Sequence, residues 1–270
     1  MSSRDERSDA ALDKRQIRLA FGRAAPHYDR VAGLQRSTGE VLLQHLPEGL
    51  AFARALDLGC GTGFIAGRLL KTQRCQRVVA VDLAWPMLQM ARAKLAGEAR
   101  IDYVCGDAEA LPLLSGCCDL VISNLAVQWC QPLRRAAREM FRVLQSPGSV
   151  AISSFGPTTL VELKHAWRAV DDRPHVNDFE TVEQVIMALQ MAGFVMVKAH
   201  VQSETVFYEG VGQLMAELKN LGAHNIARGR QRALTRRRDL RQMIAAYEAL
   251  REPQGLPATY ELLYVTAHKH

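Results

Sequence analysis

The sequence predicts an α/β fold with one doubly wound, mostly parallel sheet of seven strands. Between about residues 54 and 154, short apolar runs typical of buried strands alternate with amphipathic helical stretches. Short connections join these segments, and this order is characteristic of parallel strands linked by crossover helices. A glycine-rich turn follows the first strand, as in sheets that bind nucleotides at their carboxyl edge. With 270 residues, of which 48% are hydrophobic, the chain is long enough to bury a large core.

The predicted strands and helices follow one another in a regular order. The strands are predicted at residues 54–58, 77–82, 101–105, 119–123, 149–154, 194–201 and 260–267. The helices between them are predicted at residues 62–71, 86–96, 133–144, 160–170 and 181–192. Gly193 is predicted to end the last of these helices. Before the first strand, Ile17, Ala20 and Phe21 follow helical spacing and indicate an amphipathic helix that ends near Pro26.

This order indicates a Rossmann-like core with an N-terminal helical extension and a C-terminal helical insertion. More than fifty residues separate the last two predicted strands, far more than an ordinary connection contains. Apolar residues at helical spacing predict two helices there, around Leu214 and around Met243. We therefore divide the chain into an N-terminal helical lid, a core, a basic insertion and a final strand, at residues 1–45, 46–204, 205–257 and 258–270.

The positive charge of the chain is concentrated in the insertion. Nine basic and three acidic residues lie between Glu217 and Arg251, and their difference equals the whole net charge of +6. The basic residues are Lys219, Arg228, Arg230, Arg232, Arg236, Arg237, Arg238, Arg241 and Arg251. Such a local field favours docking of an acidic partner.

Several protein classes are disfavoured by features that the sequence lacks. The charged residues 1–9 precede no apolar stretch of a secretory signal, and no run approaches about 18 apolar residues, the length of a membrane span. We therefore expect a cytoplasmic protein without a membrane partner. Six cysteines are scattered without the paired spacing of a zinc site, so we expect no metal.

The strongest local signal is the segment Ala55-Leu-Asp-Leu-Gly-Cys-Gly-Thr-Gly63, in which a strand runs into three alternating glycines and then a helix. Glycines are required where a cofactor lies against the backbone and where a turn adopts conformations that side chains forbid. A dinucleotide fingerprint counted from Gly59 needs its third glycine at position 64, which is Phe64 here. The pattern preceded by Asp57 instead resembles motif I of class I methyltransferases, which use S-adenosylmethionine.

Two further acids fit a nucleoside site at the same edge of the sheet. Asp82 ends the second predicted strand, where its carboxylate can accept hydrogen bonds from both ribose hydroxyls. Asp107 follows the third strand, where its carboxylate can accept from an adenine amino group. Because the carboxyl ends of parallel strands meet at one edge, acids on three successive strands predict a single cofactor pocket.

Several longer segments resemble the malonyl-acyl-carrier-protein O-methyltransferases of biotin synthesis, and the likeness runs from about residue 14 to residue 268. The segments are Phe21-Gly-Arg-Ala-Ala-Pro-His-Tyr-Asp29 with Leu34-Gln35, Ser123-Asn-Leu-Ala-Val-Gln-Trp-Cys130, His175-Val-Asn177 with Phe179, Leu218-Lys-Asn-Leu-Gly-Ala-His-Asn225, Leu234-Thr235 and Leu256-Pro-Ala-Thr-Tyr260. The resemblance implies a class I methyltransferase fold. It also implies methyl transfer from S-adenosylmethionine to the free carboxylate of a malonyl thioester on acyl carrier protein, a step that leads toward pimeloyl and biotin.

The motifs and the resemblance together give a set of candidate site residues. For the cofactor they are Tyr28, Gln35, Asp57, Gly59, Gly61, Gly63, Asp82, Leu83, Met87, Asp107, Ala108 and Asn124. Tyr28 is expected to close over the methionine end of the cofactor. Gln128 and Trp129 are expected to border the methyl group and the acyl arm, and His27 completes the candidate catalytic set. For the substrate and its carrier the candidates are Arg23, His175, Asn177, Lys219, Arg228, Arg230, Arg232 and Arg236.

The implied reaction requires no acid–base machinery. A malonyl carboxylate is already ionised near neutral pH, and methyl transfer from a sulfonium is an in-line displacement. Positioning and exclusion of water are therefore expected to provide most of the acceleration. The basic insertion would attract acyl carrier protein, a small acidic partner, and would raise the association rate more than the affinity.

Other functions share parts of the pattern. The C-terminal third also resembles mitochondrial complex I assembly proteins of this fold, which hydroxylate an arginine, but the Gln128-Trp129-Cys130 segment favours the malonyl enzymes. A nucleic-acid partner is disfavoured, because Asn124 is followed by Leu-Ala-Val rather than by Pro-Pro and an aromatic residue. No proline precedes Cys130, as a cytosine methyltransferase would require. Another small-molecule methyltransferase, a nicotinamide oxidoreductase and a silent binding module are the remaining alternatives.

Overall fold

The computed structural model describes residues 12–47, 49–222 and 236–270. The strands in this part of the chain are β1 (Phe52–Leu58), β2 (Cys75–Asp82), β3 (Ile101–Cys105), β4 (Cys118–Asn124), β5 (Leu144–Phe155), β6 (Val195–Tyr208) and β7 (Leu256–Lys269). They form one sheet in the spatial order β3-β2-β1-β4-β5-β7-β6, in which only β7 runs antiparallel to its neighbours. The predicted doubly wound, mostly parallel sheet of seven strands is confirmed.

Helices pack on both faces of the sheet. In the described residues they are α1 (Lys14–Ala24), α2 (Tyr28–Val31), α3 (Gly33–Gln44), α4 (Phe64–Lys71), α5 (Trp85–Lys94), α6 (Leu133–Val143), α7 (Val161–Arg168), α8 (Val182–Ala192), α9 (Val211–Asn220) and α10 (Arg237–Glu248). A single 3-10 turn, Val127–Trp129, follows β4.

Alternation along the strands divides the buried side chains between two cores. Ala55 of β1 points to the face covered by α3, α4, α7, α9 and α10, whereas its neighbour Leu56 points to the face covered by α6 and α8. Both side chains are fully buried. Strands buried on both faces read as continuous apolar runs, and this explains why the sequence alone predicts the central strands.

The elements differ from the sequence predictions at the edge of the sheet and near the N-terminus. β6 continues to Tyr208 and β7 begins at Leu256, so both strands extend into the segment that the sequence assigns to the insertion. β6 is an edge strand whose residues are mostly exposed, and a polar exposed strand lacks the alternation that predicts strands. The sequence did not delimit α3, in which only Thr38, Gly39 and Leu42 are buried.

Two further properties concern the same described ranges. None of the helices in residues 12–47, 49–222 and 236–270 combines the length and the apolar character needed to cross a membrane. These residues also contain no group of three or more His, Cys, Asp or Glu side chains that could hold a metal ion.

Candidate active site

The glycine loop joins β1 to α4 at the carboxyl edge of the sheet. Gly59, Gly61 and Gly63 have positive φ angles of 73°, 52° and 81°. A Cβ atom at Gly59 would lie 2.2 Å from the Cβ of Ala126, so this position has no room for a side chain. The loop is held against β2, because the N–H of Gly59 donates to the carbonyl of Val81 at 2.8 Å. The conformation of the loop itself therefore requires the glycines.

Asp57 lies beneath the loop and anchors the start of α4. Its side chain is buried, and its Oδ2 accepts a hydrogen bond from the N–H of Ala66 at 3.0 Å. Gly63 stands at the N-cap of α4 and has no side chain, so Asp57 provides the acceptor that a capping residue normally supplies. Burial, together with the nearby Asp82, raises the pKa of Asp57 to about 7.

Asp82 ends β2 and faces the cleft beside the glycine loop. Its Oδ2 accepts from the N–H of Gly61 at 2.9 Å, and its Oδ1 accepts from the N–H of Ala84 at 2.8 Å. These bonds fix the carboxylate, while each oxygen retains a further lone pair. Burial raises the pKa of Asp82 to about 6, which leaves it mostly ionised at neutral pH. Such a carboxylate can accept hydrogen bonds from two neighbouring hydroxyl groups, as a ribose presents them.

Asp107 lies at the other end of the cleft, beyond β3, and forms part of an ion-pair cluster. Its Oδ1 accepts from Lys14 Nζ at 2.9 Å and from the N–H of Glu109 at 3.0 Å. Lys14 also contacts Glu109 Oε1 at 2.7 Å. The second carboxylate oxygen of Asp107 has no hydrogen-bond partner in the described part of the chain, so it remains available to an amino group such as that of adenine.

The cleft between these acids encloses about 730 Å³, including its open mouth, and α1 forms one of its walls. Phe21 of α1 packs edge-on against Trp129, with 5.4 Å between ring centroids and 82° between ring planes. Trp129 is buried against Ile17 and Ala20 of the same helix. The N-terminal helix therefore forms an apolar wall that excludes water from this side of the cleft.

The one-turn helix α2 places Tyr28 over the glycine loop. Burial and the charge of Asp82 raise the pKa of Tyr28, so its phenol stays protonated at neutral pH. The next residue, Asp29, fastens α2 to the core by accepting from Thr62 Oγ1 at 2.6 Å and from Lys94 Nζ at 2.9 Å. Burial alone would raise the pKa of Asp29, but these two hydrogen bonds lower it below its usual value.

A smaller cavity of about 400 Å³ adjoins the cleft and shares Tyr28, Gly59, Gly61 and Asn124 with it. We call it the inner cavity. Asn124 connects its walls, because Asn124 Nδ2 donates to the carbonyl of Gln35 at 2.8 Å and Asn124 Oδ1 accepts from Ser153 Oγ at 2.8 Å.

Two groups of the inner cavity can form polar contacts beyond those that they make within the described residues. Gln35 Oε1 is buried without a hydrogen bond. Arg36 is half-buried and donates from one nitrogen to the carbonyl of Asp29 at 2.7 Å, but it forms no ion pair there. Leaving a buried acceptor without a hydrogen bond is unfavourable, and a half-buried guanidinium can form further charge-assisted hydrogen bonds. Both line the inner cavity, and together they suit the ammonium and the carboxylate of an amino acid.

The structure brings most of the predicted cofactor residues together. The cleft is lined by nine of them, namely Tyr28, Gly59, Gly61, Asp82, Leu83, Met87, Asp107, Ala108 and Asn124. Gln35 and Asp57 line the inner cavity. Gly63 lines neither space. A Cβ atom at Gly63 would lie 2.9 Å from Leu95 and 3.1 Å from Ala91, so this glycine permits close packing on α5.

The predicted catalytic residues are placed differently. Trp129 lines the cleft with Tyr28. Gln128 is buried outside the cleft lining, and its Nε2 donates to the carbonyl of Leu125 at 2.8 Å. His27 is exposed and lines neither the cleft nor the inner cavity.

The predicted substrate residues are dispersed. Arg23, Lys219 and Arg236 are exposed and lie outside both spaces. His175 stacks on Trp167 at 3.8 Å and contacts Asp171 Oδ1 at 2.8 Å through Nε2. Asn177 is buried. The remaining candidates, Arg228, Arg230 and Arg232, lie outside the described residues, as does His224.

The site also contains residues that the sequence analysis did not select. Lys14 and Phe21 line the cleft, and Arg36 lines the inner cavity. Phe21 is the first residue of a segment that resembles the malonyl enzymes, and this resemblance could have identified it. Arg36 directly follows the candidate Gln35, so its position in the sequence could have identified it. Lys14 gives no such signal, because it pairs with an acid 93 residues away.

The polar groups of the two spaces fit S-adenosylmethionine part by part. Asp107 and Ala108 suit the adenine, Asp82 suits the ribose hydroxyls, and Gln35 with Arg36 suits the amino-acid end. Known methyltransferases share this fold. Residues 56–152 match a family model described as a methyltransferase domain. The phosphoethanolamine N-methyltransferase 2 of Haemonchus contortus, solved in complex with S-adenosylmethionine, superposes with a TM-score of 0.58 at 18% identity, covering 100% of this chain and 60% of that chain.

Proteins of similar sequence show to which family of methyltransferases the chain belongs. The malonyl-[acyl-carrier protein] O-methyltransferase of Methylococcus capsulatus is 42% identical over 95% of this chain and 94% of its own length. The biotin biosynthesis bifunctional protein BioHC of Cellvibrio japonicus is 43% identical over 96% of this chain, which spans about half (51%) of that longer protein. The fold and site define a class I S-adenosylmethionine-dependent methyltransferase. Within this class, the chain belongs to the malonyl-[acyl-carrier protein] O-methyltransferase family.

Proposed function

We propose that this chain transfers a methyl group from S-adenosylmethionine to the free carboxylate of malonyl-acyl carrier protein, giving the malonyl methyl ester. One observation about the cleft favours a carboxylate as the methyl acceptor. The described titratable groups that line the cleft are paired, kept protonated or placed to hold the cofactor. An acceptor that is already ionised fits such a site, and a carboxylate is ionised at neutral pH.

The titratable groups can be considered one by one. Asp82 accepts from two backbone N–H groups and its remaining lone pairs suit the ribose hydroxyls, and Asp107 is paired with Lys14. Burial keeps Tyr28 protonated, and burial raises the pKa of the Cys130 thiol to about 12. An amine or alcohol acceptor would require a general base that these residues do not offer.

The catalytic contribution of the chain is therefore positioning and desolvation. When bound, S-adenosylmethionine supplies an activated methyl group on a sulfonium. Asp82 would hold the ribose of this cofactor, and Gln35 and Arg36 would hold its amino-acid end. Phe21, Trp129 and Tyr28 would shield the reacting carboxylate from water, and loss of its hydration shell makes the carboxylate a better nucleophile.

The carrier protein as partner is supported by the charge of the insertion. Arg236, Arg237, Arg238 and Arg241 are exposed, and they form no ion pair with any residue of the described ranges. An acidic carrier would find there an unneutralised positive surface, which would raise its association rate.

The test is incubation of the purified chain with isotope-labelled S-adenosylmethionine and malonyl-acyl carrier protein, followed by mass measurement of the carrier. We expect a gain of one methyl group on the malonyl carrier and none on the acetyl carrier, which has no free carboxylate. Methylation of the acetyl carrier, or of neither carrier by a chain that binds S-adenosylhomocysteine, would overturn the proposal.

A further inference from the structure

A second concave surface lies between α3, β6 and α9, and encloses about 1050 Å³ including its open side. We call it the outer groove. One of its walls is a single face of α9, formed by residues at positions i, i+3, i+4 and i+7: Gln213, Ala216, Glu217 and Asn220. This face extends about 10 Å along the helix axis.

The outer groove adjoins the inner cavity. Arg36 lines both the outer groove and the inner cavity, so its side chain stands where the two spaces meet. At the other end of the α9 face, Asn220 is the last residue of the helix. The chain leads from there into the basic stretch, which contains Arg228 to Arg238 in sequence. The outer groove therefore lies beside the amino-acid end of the cofactor site.

The lining of the outer groove combines unsatisfied hydrogen-bonding groups with apolar patches. Gln213 Oε1 accepts from the N–H of Glu209 at 2.9 Å, which leaves its amide nitrogen free among the described residues. Glu217 Oε1 accepts from Tyr208 at 2.9 Å, and its second oxygen has no partner there. Asn220 makes no side-chain hydrogen bond within the same residues. Apolar contacts are provided by Val31, Leu34 and Val206.

We propose that the outer groove holds the phosphopantetheine arm of the thioester substrate, with the thioester end toward Arg36. This arm is a narrow chain in which two amides alternate with short alkyl segments. Amide donors and acceptors spaced along one helix face, opposite apolar residues, match that chemistry. The inference rests on the proposed function, because it takes the acceptor to be a carrier-bound thioester.

The experiment fills the outer groove from its α9 wall by Ala216→Trp. Ala216 is an exposed helical residue, so the larger side chain does not disturb the core. The matched control is Met215→Trp, at the neighbouring exposed position that does not line the outer groove. A second blocking variant, Ser37→Trp, fills the same space from α3. Rates are measured with malonyl-carrier protein, malonyl-coenzyme A and malonyl-N-acetylcysteamine, which lacks most of the arm.

We expect both blocking variants to lower kcat/KM for the carrier and coenzyme A substrates by about tenfold or more, because both carry the full arm. The short thioester should lose less than about twofold, and Met215→Trp should leave all three rates unchanged. Calorimetry with S-adenosylhomocysteine, expected to give wild-type affinity, reports on folding independently of activity.

Two results would overturn the assignment of the outer groove while leaving the proposed function intact. One is a folded blocking variant that retains the wild-type rate with the carrier substrate. The other is an equal loss with all three thioesters, which would indicate damage to the cofactor site. If the wild-type chain transferred a methyl group to none of the three thioesters, the proposed function would be overturned. The proposed occupant of the outer groove would then be overturned as well.

Discussion

The two sides of the cofactor cleft are built from different kinds of contact. On the sheet side, Asp57 and Asp82 accept hydrogen bonds from backbone N–H groups of the glycine loop and its flanking helices. On the lid side, contacts join helices that are distant in sequence, as in the pair Phe21 and Trp129. Residues on the sheet side therefore stabilise the fold itself, whereas substitutions in the lid should have little effect on the stability of the core. Substitutions on the two sides should separate stability from ligand binding.

The largest effect is expected at Gly59, on the sheet side. In Gly59→Ala the new methyl group meets the Cβ of Ala126 at 2.2 Å and the backbone keeps a positive φ of 73°. We expect a loss of about 3 kcal/mol in the free energy of unfolding in urea, with loss of S-adenosylhomocysteine binding. The control is Gly33→Ala, because a Cβ atom there contacts nothing within 4 Å. Wild-type stability of Gly59→Ala would show that the loop is not constrained as described.

Asp82→Asn should affect cofactor binding more than stability. The amide keeps one acceptor oxygen for a backbone N–H but loses the charge and the second acceptor. We expect S-adenosylhomocysteine affinity to fall by about 2 kcal/mol, or roughly 30-fold, in calorimetry. Asp102→Asn removes an exposed acid of β3 that pairs with the surface residue Arg77 at 3.3 Å, and should leave the affinity unchanged. Equal effects of the two substitutions would contradict the assignment of Asp82.

Arg36→Gln tests the lid side at the amino-acid end of the site. Loss of a charge-assisted hydrogen bond to a carboxylate should weaken S-adenosylhomocysteine binding by roughly tenfold, and the melting temperature should change little. Arg30→Gln is the matched control, since Arg30 is an exposed cation of the outer groove that does not line the inner cavity. A similar loss in both variants would indicate general electrostatic attraction in place of a specific contact.

Phe21→Ala should produce a smaller change of the same kind. It removes the ring that packs against Trp129 and opens the apolar wall of the cleft to water. We expect kcat to fall about threefold to tenfold, with a stability loss below that of Gly59→Ala. Leu19→Ala, at an exposed position of the same helix, should have the kinetics of the wild type. An unchanged kcat in Phe21→Ala would show that the N-terminal lid does not contribute to exclusion of water from the cleft.

The same contrast explains how far the sequence predicts the structure. The central strands, the glycine loop and the acids Asp82 and Asp107 follow from local spacing, because parallel strands bring their carboxyl ends to one edge. Local spacing does not predict the roles of Arg36 and Lys14, because these roles depend on how helices outside the sheet pack across it. Gln128 illustrates the opposite case: it is close in sequence to Trp129, yet its side chain turns to the carbonyl of Leu125 and away from the cleft lining.

A prediction of a different kind, measured as a slope, concerns the pH dependence of stability. The pKa of Asp57 is about 7 in the folded chain, whereas an unfolded aspartate has its usual value near 4. Between these values the folded state holds a proton that the unfolded state releases, so the free energy of unfolding falls as pH rises through this window. Asp57→Asn keeps an acceptor for the N–H of Ala66 but has no proton to lose, so its stability should fall less steeply. Asp82, with its pKa raised to about 6, contributes in the same direction in both proteins, so the slope is reduced and not abolished. Urea unfolding at several values between pH 4.5 and pH 7.5 measures the two slopes, and identical slopes would mean that Asp57 titrates in the folded chain as it does in the unfolded one.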